Sequence, residues 1–247
     1  MSQPVKTTSI KDKTALVTGA NRGIGKAIVE ALLEHGARKV YLAVRNPEST
    51  TDLTQRYGKK VVTLQADLAS DESIQALASQ AKDVDIVINN AGVLEIASAL
   101  SDNAIQALTN EFNINVFGLL RIANAFAPIL EAKGGALVQL NSVASIKNFP
   151  DCATYSASKA AAYSLTQSLN DNFSAKGVQV VSVHPGPIAT DMGDKVGLTK
   201  IAEPPSVVAE AIIAGLENGH FHVFPDTFAQ QIYGAYRPYV EAVLDSQ

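Results

Sequence analysis

The chain has 247 residues, 47% of them apolar and 18% charged, with a formal net charge of −4. That length suits one α/β domain with a sizeable core, and the mildly acidic balance gives no electrostatic reason to expect nucleic acid or an anionic membrane as partner. One cysteine, Cys152, excludes an internal disulfide; the polar first ten residues, and no apolar run read as long enough to span a membrane, lead us to expect a reducing cytoplasm.

Residues 14–18 form an apolar run of strand character, and Gly19-Ala20-Asn21-Arg22-Gly23-Ile24-Gly25 follows at once. Residues 26–36 then read as a helix, with Ile28, Val29, Leu32 and Leu33 at helical spacing. A glycine motif between a strand and a helix signals dinucleotide binding. The glycines allow a tight turn and close approach of backbone to pyrophosphate, and the helix N-terminus offers free N–H groups to the phosphates. The spacing is G-x-x-x-G-x-G rather than G-x-G-x-x-G, and the competing reading is a turn that only joins strand to helix.

The second strand, 40–44, runs into Arg45-Asn46 with no carboxylate to bind the ribose hydroxyls of NAD. Arg45, with Arg22 inside the glycine turn, suits a 2′-phosphate, because a guanidinium forks onto phosphate bidentately. NADP(H) is therefore the expected cofactor; the alternative is that both arginines decorate a solvated loop. Asp67-Leu68 follows a strand at 61–65, and Ser70 or Asp71 is placed to cap a helix at 72–81. The strand 85–89 leads into Asn89-Asn90-Ala91-Gly92, at the carboxyl end where ligands bind in a doubly wound sheet; simple turn chemistry is the other reading.

A long helical pattern, 104–130, carries Asn115. A strand at 136–140 precedes Ser142, and a helix at 154–175 carries Tyr155 in its first turn. Residues four apart share a helix face, so Lys159 stands over Tyr155. A nearby ammonium favours the phenolate and lowers the phenol from its ordinary value of about 10, giving an acid–base pair for a carbonyl and its alcohol. Ser142 can hold the same oxygen. A sixth strand, 178–183, leads to a Pro- and Gly-containing stretch, 185–205, long enough to serve as a lid over a site. A helix at 207–216, a last strand at 221–224 and a tail with Tyr233, Tyr236 and Tyr239 complete the chain. This alternation predicts one Rossmann-type domain over 1–247, a doubly wound parallel sheet of about seven strands with helices on both faces. His35, His184, His220 and His222 show no metal-ligand spacing.

These motifs, in this order, resemble the short-chain dehydrogenase/reductases over nearly the whole length. The resemblance implies an NADP(H)-dependent carbonyl reductase or alcohol dehydrogenase. Asn115, Ser142, Tyr155 and Lys159 would form its catalytic set, with Asn115 breaking its helix locally and anchoring a water behind Lys159. Gly19, Asn21, Arg22, Gly23, Ile24, Gly25, Arg45, Asp67, Leu68, Asn89, Ala91 and Gly92 would hold the cofactor. Pro185, Gly186, Ile188 and Thr190, in a PG-x-x-x-T segment, would meet its nicotinamide end beside Tyr155 and Lys159. It further implies a pocket lined by Val143, Ser145, Ile146, Phe149 and Cys152, closed by Met192, Val196 and Leu198. An apolar or aromatic ketone or aldehyde suits such a wall. A 3-ketoacyl-thioester reductase is the alternative, and a non-catalytic NADP(H)-sensing protein is an alternative of another class. Family members are commonly dimers or tetramers, and Ala153, Ala157, Ala160, Ala161 and Ala162 offer either a subunit contact or close packing on the sheet.

Overall fold

Short aliphatic runs form seven parallel strands in the computed structural model, which describes residues 6–197 and 199–244. They are β1 (Thr14–Thr18), β2 (Lys39–Val44), β3 (Val61–Gln65), β4 (Ile86–Asn89), β5 (Ala136–Leu140), β6 (Gln179–Val183) and β7 (His222–Val223). The helices are α1 (Gly23–Glu34), α2 (Thr51–Tyr57), α3 (Asp71–Gln80), α4 (Ala104–Glu111), α5 (Gly118–Lys133), α6 (Ala153–Ser174), α7 (Asp191–Lys195), α8 (Pro205–Asn218) and α9 (Thr227–Tyr239). The strand order is β3-β2-β1-β4-β5-β6-β7. The chain builds outward from β1 in one direction, then returns to β4 and builds in the other, leaving a crevice at the carboxyl ends of β1 and β4.

Successive strand residues point to opposite faces, and both faces are dry. Ala15 and Val17 pack with α1 and α8 residues such as Ile28, Leu32 and Ile212, whereas Leu16 joins Ile74, Ile122 and Phe126 of α3 and α5 on the other side. Double-sided burial explains why the strands are nearly continuous in apolar residues.

Three expectations need correction. The helix expected over 104–130 is two α-helices, and the local break that the resemblance implied at Asn115 takes the form of a π-helical turn, Phe112–Phe117, between them. The combined run Ala104–Lys133 is also apolar enough by length and composition to cross a membrane, with a mean hydropathy of 1.3; its apolar side is the face that Leu119, Ile122, Phe126 and Leu130 bury in the protein interior. Finally, α1 starts at Gly23, inside the motif rather than after it, and α2, α7 and α9 form where the pattern predicts no helix.

Candidate active site

One cleft of about 1240 Å³ runs along the carboxyl ends of the strands. The glycine turn forms its floor. Gly23 adopts a left-handed φ of +51°, and a side chain at Gly25 would run into the carbonyl of Gly19 and the amide of Asn90. The N-terminus of α1 has no side-chain cap and no acidic residue in its first turn. Free N–H groups and a positive dipole end therefore face the cleft, and the site fits the pyrophosphate of a dinucleotide.

Thr18 organises the turn. Its hydroxyl donates to Asn89 Oδ1 at 3.1 Å and accepts from the main-chain N–H groups of Asn90 and Ala91 at 3.0 and 2.9 Å. Asn90 in turn donates to the carbonyl of Thr18 at 2.9 Å. The two asparagines thus have different positions. Asn90 lines the cleft, as do Ala91 and Gly92, but Asn89 does not. Asn89 is buried in the sheet, and its amide donates to Gln139 Oε1 at 2.8 Å.

Gly19, Asn21, Arg22, Ile24, Arg45, Asp67 and Leu68 all line the cleft, joined by Asn46 and Ser49, which no motif singled out. Arg45 is exposed. Arg22 is engaged across the cleft by Asp191 at the start of α7, with 2.5 Å between Nη1 and Oδ2. Asp67 Oδ1 accepts from the N–H of Ala69, and Ser70 caps α3 as expected, accepting from the N–H of Ser73.

At the other end, Ser142, Tyr155 and Lys159 line the cleft together with Pro185, Gly186, Ile188 and Thr190. Ser142 leaves β5 in extended backbone; its Oγ accepts from the N–H of Ala144 at 3.1 Å and lies 3.4 Å from the carbonyl of Pro185. Lys159, 4% exposed, donates to the carbonyl of Leu140 at 2.7 Å, and its Nζ lies 5.8 Å from the Tyr155 ring centre. Asn115 sits behind Gly92: a Cβ on that glycine would come within 3.0 Å of Asn115 Oδ1 and 3.6 Å of Lys159 Nζ. The PG turn is anchored from the far end of the chain, where buried Asp226 accepts from the N–H of Gly186 at 2.7 Å and caps α9.

The electrostatics differ from the expectation. Burial pushes the Tyr155 hydroxyl above its ordinary value; the Ser142 hydroxyl pulls the other way, and Glu111 and Cys152 add to the rise. Burial also lowers Lys159 to about 8. The ammonium is taken up by a backbone carbonyl, so desolvation rather than charge pairing dominates the phenol. Cys152 is likewise pushed up, by burial and then by Asp151 and Glu111; it remains a thiol, not a nucleophile.

The mouth beside Tyr155 is mostly apolar, although Asp151 and Lys195 also line the cleft. Val143, Phe149, Cys152, Met192 and Val196 line it as expected, with Leu94, Ile96, Ile201 and Phe228 in addition. Ser145 and Ile146 do not: Ser145 is turned inward to His184 at 2.9 Å. Leu198 lies outside the described residues.

Comparisons with known proteins agree with this arrangement. A family model described as short chain dehydrogenase matches residues 13–200. A short-chain dehydrogenase from Burkholderia cenocepacia J2315, solved in complex with NADP, is 36% identical, superposes with a TM-score of 0.86 and is matched over 97% of this chain and 100% of that one. An uncharacterised oxidoreductase of Staphylococcus aureus USA300 is 34% identical over 217 residues, 85% of this chain and 93% of its own. A short-chain dehydrogenase/reductase from Burkholderia phymatum in complex with NAD is 23% identical with a TM-score of 0.83, covering 95% of this chain and 96% of that one; at that identity it shows the fold alone.

Proposed function

The chain belongs to the short-chain dehydrogenase/reductase family, and from that premise we propose that it reduces a ketone or aldehyde to the alcohol, reversibly, with NADP(H) as cofactor and Tyr155 as acid/base. The observation that carries the reading is the convergence of Ser142, Tyr155 and Lys159 at one end of a cleft whose other end presents Arg22 and Arg45. The two arginines, the missing carboxylate after β2 and the NADP held by the 36%-identical relative support NADP(H) over NAD.

A bound NADPH supplies the hydride; the side chains handle the oxygen and its proton. Ser142 donates to the carbonyl oxygen and stabilises the charge that builds there. Tyr155 delivers its proton to the same oxygen. A phenol held above its ordinary value is protonated at neutral pH, which is the form a reduction starts from. In this reading Lys159 steadies the nicotinamide ribose, and Asn115 anchors a water through which Tyr155 regains a proton. The mostly apolar mouth supports a substrate with an apolar or aromatic body. Self-association into a dimer or tetramer through α5 and α6 belongs to the same proposal, supported by outward-facing Ala157 and Ala160 and tested by light scattering of the purified chain.

The deciding assay follows NADPH oxidation against a panel of ketones, aldehydes and ketoacyl thioesters, with NADH in parallel. Turnover of simple ketones or aldehydes supports the proposal. A clear preference for thioesters replaces the substrate class, and cofactor binding without turnover across the panel replaces the enzyme with a sensor.

A further inference from the structure

We propose that His184 is a positioning residue: as a neutral imidazole with its proton on Nδ1, it fixes the main chain at Ser142 and so aims the hydroxyl that meets the substrate oxygen. The inference rests on the role proposed above for Ser142.

His184 follows β6 just before the PG turn and is fully buried. Both ring nitrogens have partners, and the partners determine where the proton is. Ser145 Oγ lies 2.5 Å from the carbonyl oxygen of Ser142. A carbonyl only accepts, so the single hydroxyl proton of Ser145 is committed there. At its 2.9 Å contact with His184 Nδ1, Ser145 must therefore accept, and Nδ1 carries hydrogen. The same N–H faces the Ser142 carbonyl at 3.3 Å. On the opposite side of the ring, the Asn141 amide donates to Ser182 Oγ at 2.9 Å, leaving Ser182 to direct its own proton to Nε2 at 2.8 Å. A single tautomer satisfies every contact, and it links three polar side chains to the backbone of Ser142.

The ring has little room to turn. Tyr163 meets it edge-on at 4.7 Å, and Phe224 stacks on it at 4.8 Å with 12° between planes. Nor does it readily charge. Burial above all, then the facing titratable bases His222, with its ring 5.9 Å away, and Lys159, hold the imidazole down to about 3, against the Ser142 carbonyl that pulls it up. A second ring proton would point at a hydroxyl that already donates toward it, so the charged form breaks the network. His184, Ser145 and Ser182 are all buried and none of them lines the cleft. They reach the site through the carbonyl of Ser142.

Two measurements test this. Nitrogen-15 NMR of the imidazoles in the wild-type protein reads the tautomer directly, whether or not a substrate is known. The expected result is an Nδ1–H, Nε2-acceptor pattern for His184 that stays constant between about pH 5.5 and 9. An Nε2–H tautomer, or protonation with a midpoint above about pH 6, overturns the proposal. Steady-state kinetics then compare H184L with H184N, which keeps an N–H at the δ position. The expected H184L effect is a fall of about tenfold in kcat with NADPH affinity within about twofold, and H184N recovers several-fold of that loss. H184L at wild-type kcat overturns it, and if H184L does not fold, the wild-type spectrum decides. Absence of any carbonyl turnover is a failure of the functional proposal instead, because the spectrum still reports the network.

Discussion

Asn115 pairs with the main chain of Val93 as a neighbouring strand would. Its Oδ1 accepts from the Val93 N–H at 2.9 Å and its Nδ2 donates to the Val93 carbonyl at 2.9 Å, with a further bond to Ser158 Oγ at 3.0 Å. The π-helical turn delivers this side chain to the pocket-lining segment after β4. Replacing Asn115 with Leu keeps the volume and removes all three bonds. We expect a loss of about 2–4 kcal/mol, since each buried group left unpaired costs about 1–3 kcal/mol. Urea unfolding checks this, with the midpoint lowered and the slope unchanged; an unaltered midpoint would contradict the clamp.

Tyr155→Phe removes one hydroxyl from a site that is otherwise intact. Turnover should fall by about 10²–10⁴, the usual contribution of a positioned acid, while NADPH titration gives an unchanged dissociation constant. Wild-type turnover in this variant would sink the proposed acid.

Lys159 gives the fold a pH dependence. Its folded value of about 8 lies below the ordinary 10.5. Between those two values the unfolded chain binds a proton that the folded chain does not, so stability rises with pH across that window. Below it the ammonium is buried at full cost, roughly 3 kcal/mol at 1.36 kcal/mol per unit. Without cofactor, K159M should therefore be more stable than wild type at pH 7, lose that advantage above about pH 10, and be inactive throughout. Equal pH profiles for the two proteins would show that the lysine is not desolvated.

Arg45→Ala should weaken NADPH about tenfold to a hundredfold, the worth of a charge-assisted hydrogen bond, and leave NADH nearly untouched. Arg22 adds a second readout, because Asp191 competes for it. D191N should tighten NADPH binding and not NADH. Parallel fluorescence titrations of both cofactors decide this, and equal effects on the two would remove the arginines from 2′-phosphate recognition.

Gly25→Ala should abolish binding of both cofactors and lower thermal stability, because the added methyl meets the Gly19 carbonyl and the Asn90 amide. An alanine variant with unaltered NADPH affinity would mean that the turn is looser than this geometry allows.

The residues proposed to do the chemistry are legible where residue type and spacing encode it, as in the glycine turn, Ser142, and Tyr155 with Lys159. What escaped depends on relationships across the fold. Which of two adjacent asparagines faces the cleft is set by the pleat of β4, whose last residue is Asn89, and neither type nor spacing reveals that parity. An i, i+4 spacing places Lys159 on the face of Tyr155, but not that the Leu140 carbonyl, far back in sequence, takes up the ammonium. Phe228 reaches the pocket from α9, a helix hidden by Gly234, Pro238 and a polar, tyrosine-rich pattern. His184 carries no signal in type or spacing because its partners come from Ser142 and Ser145 after β5, from Ser182 in β6, and from the rings of Tyr163 and Phe224.

The π-helical turn also constrains how this gene can change. An α-helix advances about 100° per residue, so excising one residue from Phe112–Phe117 would let the hydrogen bonding relax to a uniform helix while rotating α4 by that angle against α5. Glu111, now buried at the end of α4 and accepting from the N–H of Glu95, would swing away from its contact, and Asn115 would lose Val93. Point substitutions on the outer side of α4 are therefore an open evolutionary route, whereas single-codon deletions between Phe112 and Phe117 should be purged.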